Sequence, residues 1–239
     1  MLVSTAHRIA FAHYPKTAGT SLQRWFLDTF PDARLLVADN PHFPVQLSLP
    51  MLRPRAWERR LNRLAYRALG AVSTATAAPF APLASSLRVV GVIREPFEML
   101  VSLFEFWKRE PAVAASNDLF IGCPRHHTFR DFLAAAVVGG RLLNYEQFFD
   151  VGGPLWERTT LLDFASLQPA LESFCADNGF GHAGPLPSLN RGPQEGRDLD
   201  RYREEAGPLL DDVRGYFRWY YEEGVRLMVR GDGRGRAAA

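Results

Sequence analysis

His13-Tyr14-Pro15-Lys16-Thr17-Ala18-Gly19-Thr20-Ser21-Leu22 decides how this chain folds, because it lies between two unlike hydrophobic patterns. Upstream, Ile9 to Tyr14 is a short, nearly continuous apolar run of the kind that forms an inner parallel strand. Downstream, Leu22, Trp25, Phe26 and Phe30 recur at helical spacing. A strand therefore feeds a helix through a polar turn. At such a turn the N–H groups of the helix start have no intrahelical acceptor and the helix dipole favours an anion. Gly19 permits close backbone approach, Thr17, Thr20 and Ser21 add hydroxyls, and Lys16 supplies a compact positive charge. Only Lys16 and Lys108 are lysines among 28 basic residues, so a point charge here departs from the chain's use of arginine forks. The plain alternative is an ordinary strand-to-helix turn with a solvated lysine.

A second element repeats this logic. Arg88 to Ile93 reads as another buried strand that runs into Arg94-Glu95-Pro96, where proline can occupy the first helical position. Over Phe97 to Lys108 a helix is expected, with Phe97, Leu100, Val101 and Phe104 on one face. Glu98, Ser102, Glu105 and Arg109 share another face, which takes Ser102 off the main core-facing stripe. Arg94 at a strand end and Ser102 two turns into the helix could hold one phosphate between a guanidinium and a hydroxyl. Alone, such an arginine is an ordinary ion-pair partner and such a serine incidental.

Composition bounds the rest. A chain of 239 residues that is 47% hydrophobic can bury one substantial core, so a single α/β domain over residues 1–230 is expected, with 231–239 as a fraying tail. The sheet is expected to be parallel and flanked by helices. No apolar run approaches a membrane span, and little hydrophobic sequence precedes His7 and Arg8, so the expected location is the cytoplasm. Cys123 and Cys175 show no disulfide or metal spacing. The formal charge of +2 does not by itself imply a nucleic-acid partner. Leu35 to Ala38 is a candidate strand, followed by the loop Asn40 to Pro44. Pro54 to Leu69 reads as a helix bearing Arg55, Arg59, Arg63 and Arg67 at four-residue steps, a stripe for an anionic acceptor or membrane surface, or simply a solvated face. Ala71 to Ser86 reads as a loose connection, with a lid as one role. Thr159 to Phe164 reads as a strand, Leu167 to about Asn178-Gly179 as a helix, and Leu209, Val213, Tyr216, Phe217 and Tyr220 as a final helix.

The first turn is not a Walker A loop, since its lysine precedes the glycine. Pro15-Lys16-Thr17-Ala18-Gly19-Thr20-Ser21 instead resembles the 5′-phosphosulfate loop of the sulfotransferase family, in its carbohydrate-sulfotransferase branch. Arg94, Pro96 and Ser102, with the serine six residues after the proline, resemble that family's 3′-phosphate signature. The resemblance runs in order from Phe11 to about Tyr221 and is specific at these two motifs. It implies a P-loop-like parallel sheet, related to that of nucleotide kinases, and 3′-phosphoadenosine 5′-phosphosulfate as donor. Lys16, Thr17, Ala18, Gly19, Thr20, Ser21, Arg94 and Ser102 would bind that donor, and Lys16 would also stabilise the leaving group. His42-Phe43-Pro44 resembles a segment that follows the loop in related enzymes, making His42 the leading candidate for the acceptor-side base, with Asp39 as a nearby substitute. A loop histidine can equally be structural. Leu189-Asn190-Arg191-Gly192 resembles a late segment near the nucleotide, which gives Asn190 and Arg191 an auxiliary role unless they form an ordinary polar turn.

No metal is required for sulfuryl transfer of this kind. His13 is expected to orient backbone, and His126-His127 lacks helical metal-ligand spacing. A nucleoside or small-molecule kinase on a similar sheet, with Asp163 linked to a metal, is one alternative, and a non-catalytic nucleotide-binding or membrane-associated protein is another. The acceptor, whether carbohydrate, lipid-linked glycan or small hydroxylated metabolite, is set by loops that carry no common signature.

Overall fold

The structure, a computed structural model, describes residues 1–37, 40–52, 83, 86–110, 128–181, 184–187 and 198–229, the side chains of 49–51 excepted. The arginine-bearing segment 54–69, nearly all of the 71–86 connection, Ala38, Asp39, Cys123, His126, His127, Asn190, Arg191 and the tail lie outside the described residues. The strands are β1 (Leu2–Ser4), β2 (Ile9–Ala12), β3 (Arg34–Leu35), β4 (Arg88–Ile93) and β5 (Thr159–Asp163). The α-helices used below are α1 (Gly19–Thr29), α2 (Val45–Leu52), α3 (Pro96–Arg109), α4 (Phe129–Leu133), α5 (Tyr145–Phe149), α6 (Leu167–Asn178), α7 (Leu199–Ala206) and α8 (Leu209–Tyr216). The chain divides into two compact units, Met1–Ile93 with Gln147–Leu189 and Arg226–Ala239, and Arg94–Glu146 with Asn190–Val225.

The first unit contains a five-stranded sheet ordered β3-β1-β2-β4-β5. β2, β4 and β5 are parallel, with Ile9 opposite Arg88 and Val89 opposite Thr159. β1 is antiparallel to both β2 and β3. The sheet is thus mixed rather than wholly parallel. Its reason is connection length: residues 5–8 join β1 to β2, which suffices for a hairpin, whereas a parallel pair needs a crossover of a dozen residues or more. Asp32 fastens that hairpin, accepting from the Ser4 hydroxyl at 2.7 Å and the Ala6 N–H at 3.0 Å.

Side-chain alternation assigns the two faces of β4. Val90 and Val92 join Ile9, Phe11 and Leu162 in one core with Leu22, Trp25 and Phe26 of α1, Phe30 at its C-terminal cap, and Ala170, Leu171 and Phe174 of α6. On the other face Gly91 lies under Phe149, whose Cε1 would stand 2.3 Å from an added Cβ. Helix α6 stops where expected: Gly179 is left-handed at φ 70° and the Phe180 N–H reaches back to the Cys175 carbonyl at 2.9 Å.

The second unit is helical. Phe104 of α3, Phe129 and Phe132 of α4 and Tyr202 of α7 form an aromatic cluster with centroids 4.9 to 6.2 Å apart. Ser102 is buried, only 3% exposed, together with Met99, Leu103 and Trp107. Of the four residues expected off the core-facing stripe, Glu98, Ser102, Glu105 and Arg109, Ser102 alone is buried, because neighbours cover α3 beyond that stripe. The expected final helix is interrupted. After α8 the Tyr220 N–H bonds the Phe217 carbonyl at 2.8 Å, and Tyr220–Gly224 then widens into a π-turn. Phe217 and Tyr220 both pack on Tyr145, at 5.4 and 5.8 Å. Among the described residues no helix is long and apolar enough to cross a membrane.

Candidate functional site

The turn between β2 and α1 is shaped by two residues that are not glycine. Lys16 has φ 60° and Ala18 φ 59°, a conformation that costs an L-residue about 1–2 kcal/mol. The Thr17 hydroxyl donates to the Tyr14 carbonyl at 2.9 Å and closes the turn from inside, so its side chain shapes the loop. The Ala18 carbonyl accepts the first helical bond, from the Leu22 N–H at 3.1 Å, leaving the first-turn amides ahead of the helix's own ladder. Left-handed Ala18 followed by helical Gly19 is the alternation that turns successive amides into an anion-binding concavity. Lys16 is partly exposed, Thr20 exposed and Ser21 buried.

Gly19 has a protein neighbour where a Cβ would stand. A Cβ there would lie 1.4 Å from Nε2 of His13 and 1.7 Å from its Cδ2. The close approach that requires glycine is therefore made by His13, whose imidazole lies against the start of the helix. His13 is 7% exposed, stacks on Phe11 at 5.6 Å and meets the His42 ring at 4.2 Å. Its Nδ1 is buried with no hydrogen-bond partner among the described residues, and burial holds its pKa well below the ordinary imidazole value, with His42 and Lys16 adding to the effect.

His42 is brought to this turn by its Nδ1, 3.0 Å from the His13 carbonyl. A carbonyl only accepts, so Nδ1 carries the hydrogen and Nε2 is the basic nitrogen of the neutral ring. Loss of solvent pushes the His42 pKa down to about 4, the bond to His13 opposing this and the Lys16 charge assisting it. At neutral pH His42 is an uncharged, weakly basic imidazole.

In the second unit Arg94 precedes α3. Glu95 caps that helix, accepting the Glu98 N–H at 2.7 Å, and Pro96 takes the first position. The Arg94 guanidinium pairs with Glu98 at 3.0 Å, its side chain 13% exposed. The ordinary ion-pair role foreseen for an arginine here is thus present, and an anion would have to share Arg94 with Glu98. The phenol of Tyr145 contacts both the N–H and the C=O of Arg94, and the Tyr221 hydroxyl donates to Glu95 at 2.7 Å. Neither tyrosine is signalled locally, since nothing around Asn144-Tyr145 distinguishes it from a core aromatic. Glu98 was detectable, standing four residues after Arg94.

Asp163, the carboxylate of the kinase alternative, accepts from the Ala165 N–H at 3.1 Å and the Ser166 hydroxyl at 3.3 Å, capping the turn after β5. Among the described residues no group of three or more His, Cys, Asp or Glu side chains could hold a metal ion. No protein-family model, curated protein or solved structure matches this chain.

Proposed function

We propose that this protein is a sulfotransferase that moves a sulfuryl group from 3′-phosphoadenosine 5′-phosphosulfate to a hydroxyl, or an amine, of a carbohydrate, glycolipid or small metabolite. The observation that carries the proposal is the turn into α1. Pro15-Lys16-Thr17-Ala18-Gly19-Thr20-Ser21 leaves a parallel strand, alternates backbone handedness at Ala18 and Gly19, and sets a lysine beside a helix N-terminus. First-turn amides, Thr20, Ser21 and Lys16 take the 5′-phosphosulfate, while Arg94 and Ser102 take the 3′-phosphate, with Asn190 and Arg191 auxiliary to it.

In the transfer, the acceptor oxygen forms a bond to sulfur as the bond from sulfur to the phosphate oxygen breaks. The bonding electrons leave with that phosphate oxygen, where Lys16 meets the growing negative charge. The acceptor's proton passes to Nε2 of His42. A base with a pKa near 4 takes that proton late, once bond formation has made the attacking oxygen acidic.

Calorimetry tests the nucleotide assignment. Adenosine 3′,5′-bisphosphate is expected to bind at least about tenfold more tightly than adenosine 5′-phosphate or ATP without magnesium, one charge-assisted contact being worth about 1.5–3 kcal/mol. Equal binding of adenosine 3′,5′-bisphosphate and adenosine 5′-phosphate would remove the 3′-phosphate role, and magnesium-dependent ATP binding would favour a kinase. Transfer from labelled donor tests the chemistry: at saturating donor, Lys16→Ala should lower kcat more than Arg94→Ala does. Normal turnover in the Lys16 variant contradicts its leaving-group role.

A further inference from the structure

We infer that Tyr145 and Tyr221 are positioning residues for an anion bound by Arg94, holding the Arg94-Glu95-Pro96 turn in the shape that aims the guanidinium. The inference rests on the assignment of Arg94 to the donor's 3′-phosphate. The Tyr145 hydroxyl accepts the Arg94 N–H at 3.2 Å and donates to the Arg94 C=O at 2.8 Å. One side chain, distant in sequence, thus satisfies both backbone groups of the residue that carries the charge. The β4–β5 ladder ends at the Ile93 and Asp163 pair, and the helical bonds of α3 begin with the Met99 N–H on the Glu95 carbonyl. Arg94 falls between the two ladders.

Tyr145 is fully buried, with its ring against Phe217 and Tyr220, so its oxygen has little freedom to move. Burial also raises the phenol well above its usual pKa and keeps it a donor at any physiological pH. Tyr221 acts on the next residue. Its hydroxyl donates to Oε1 of Glu95, whose Oε2 accepts the Glu98 N–H, so both carboxylate oxygens are engaged. The π-turn Tyr220–Gly224 supplies both contacts, setting Tyr220 on the Tyr145 ring and Tyr221 on Glu95. Wide turns of this kind recur at functional sites. An arginine whose backbone is fixed on both sides loses less freedom when it binds, which raises affinity through pre-organisation without a further contact to the ligand.

The readout is the ratio of dissociation constants for adenosine 5′-phosphate and adenosine 3′,5′-bisphosphate, measured by calorimetry on the full chain. Tyr145→Phe keeps the ring and removes the oxygen. It is expected to lower the ratio about tenfold while leaving affinity for the 5′-phosphate unchanged. Tyr221→Phe, at an exposed position, is expected to lower it about threefold, so the test stands even if the buried variant fails to fold. A purely structural clamp would lower the melting temperature of both variants and leave the ratio at its wild-type value, which overturns the inference. A wild-type protein that shows no preference for the bisphosphate overturns the assignment of Arg94 itself, and the role of the tyrosines with it. A preference kept by both variants overturns only the role of the tyrosines.

Discussion

A methyl group on Gly19 would meet the His13 imidazole 1.4 Å away, so the most conspicuous glycine of the turn answers to a protein side chain. Gly19→Ala is therefore expected to destabilise the fold by about 1–3 kcal/mol, the usual range for overpacking. Urea unfolding reads this directly. Because the clash is with one ring, Gly19→Ala combined with His13→Ala should cost less than the sum of the single changes, and strict additivity would show that the ring is not the obstacle. The same pair of histidines makes a pH prediction. His42 falls to about 4 in the folded chain and His13 lies well below the ordinary 6.5, so the unfolded state binds more protons between those values. Stability is then fully present above about pH 6.5 and declines as pH falls toward 4. Asp32, held at about 2 by hydrogen bonds from Ala6, Ser4 and Thr5 that outweigh the upward push of burial, loses its contribution only below about pH 4. Unfolding at pH 7 and pH 5 should show a smaller loss in His42→Gln than in the wild type. An identical loss would mean that His42 is not held neutral by the fold.

At the scale of elements, α3 has complementary ends. Glu95 caps its N-terminus and Glu98 lies in its first turn, while Lys108 and Arg109 occupy the last, an arrangement that suits the helix dipole. Glu98 has a second partner in Arg94. A carboxylate and a phosphate compete for one guanidinium, so Glu98→Gln is expected to tighten binding of adenosine 3′,5′-bisphosphate by about two- to fivefold, the scale of a partly exposed ion pair worth up to about 1 kcal/mol. Titration calorimetry at low salt checks it. Unchanged affinity would place the anion elsewhere than on Arg94. The bounds of α3 were legible because Pro96 and the apolar spacing both mark them. The burial of Ser102 was not, since spacing shows a helix's own stripes and not how many neighbours will cover them.

For the whole molecule, the two units are each built from separated stretches of chain, the first from Met1–Ile93, Gln147–Leu189 and Arg226–Ala239. The turn at Lys16 belongs to one unit and the Arg94 turn to the other. Hydrogen exchange of the intact protein is expected to show adenosine 3′,5′-bisphosphate protecting the amides of Gly19 to Leu22 and also those around Arg94 and Glu98. Adenosine 5′-phosphate should protect only the first set. Protection of the first set alone by both nucleotides would confine the anion site to the α1 turn.

The sequence alone determined the local pieces: the strand, turn and helix around Lys16, the proline-led start of α3, and the glycine stop of α6 at Gly179. Each is set by residues within a turn or two, through periodicity, capping and backbone preference. Tertiary structure alone decided the contact that makes Gly19 a glycine, the tautomer and low basicity of His42, and the tyrosines on Arg94 and Glu95. Those depend on partners 29 residues apart for His42 and His13, 51 for Tyr145 and Arg94, and 126 for Tyr221 and Glu95. No local pattern encodes such pairs, because a hydrogen bond or a loss of solvent at one residue is created only when the fold brings the distant residue to it.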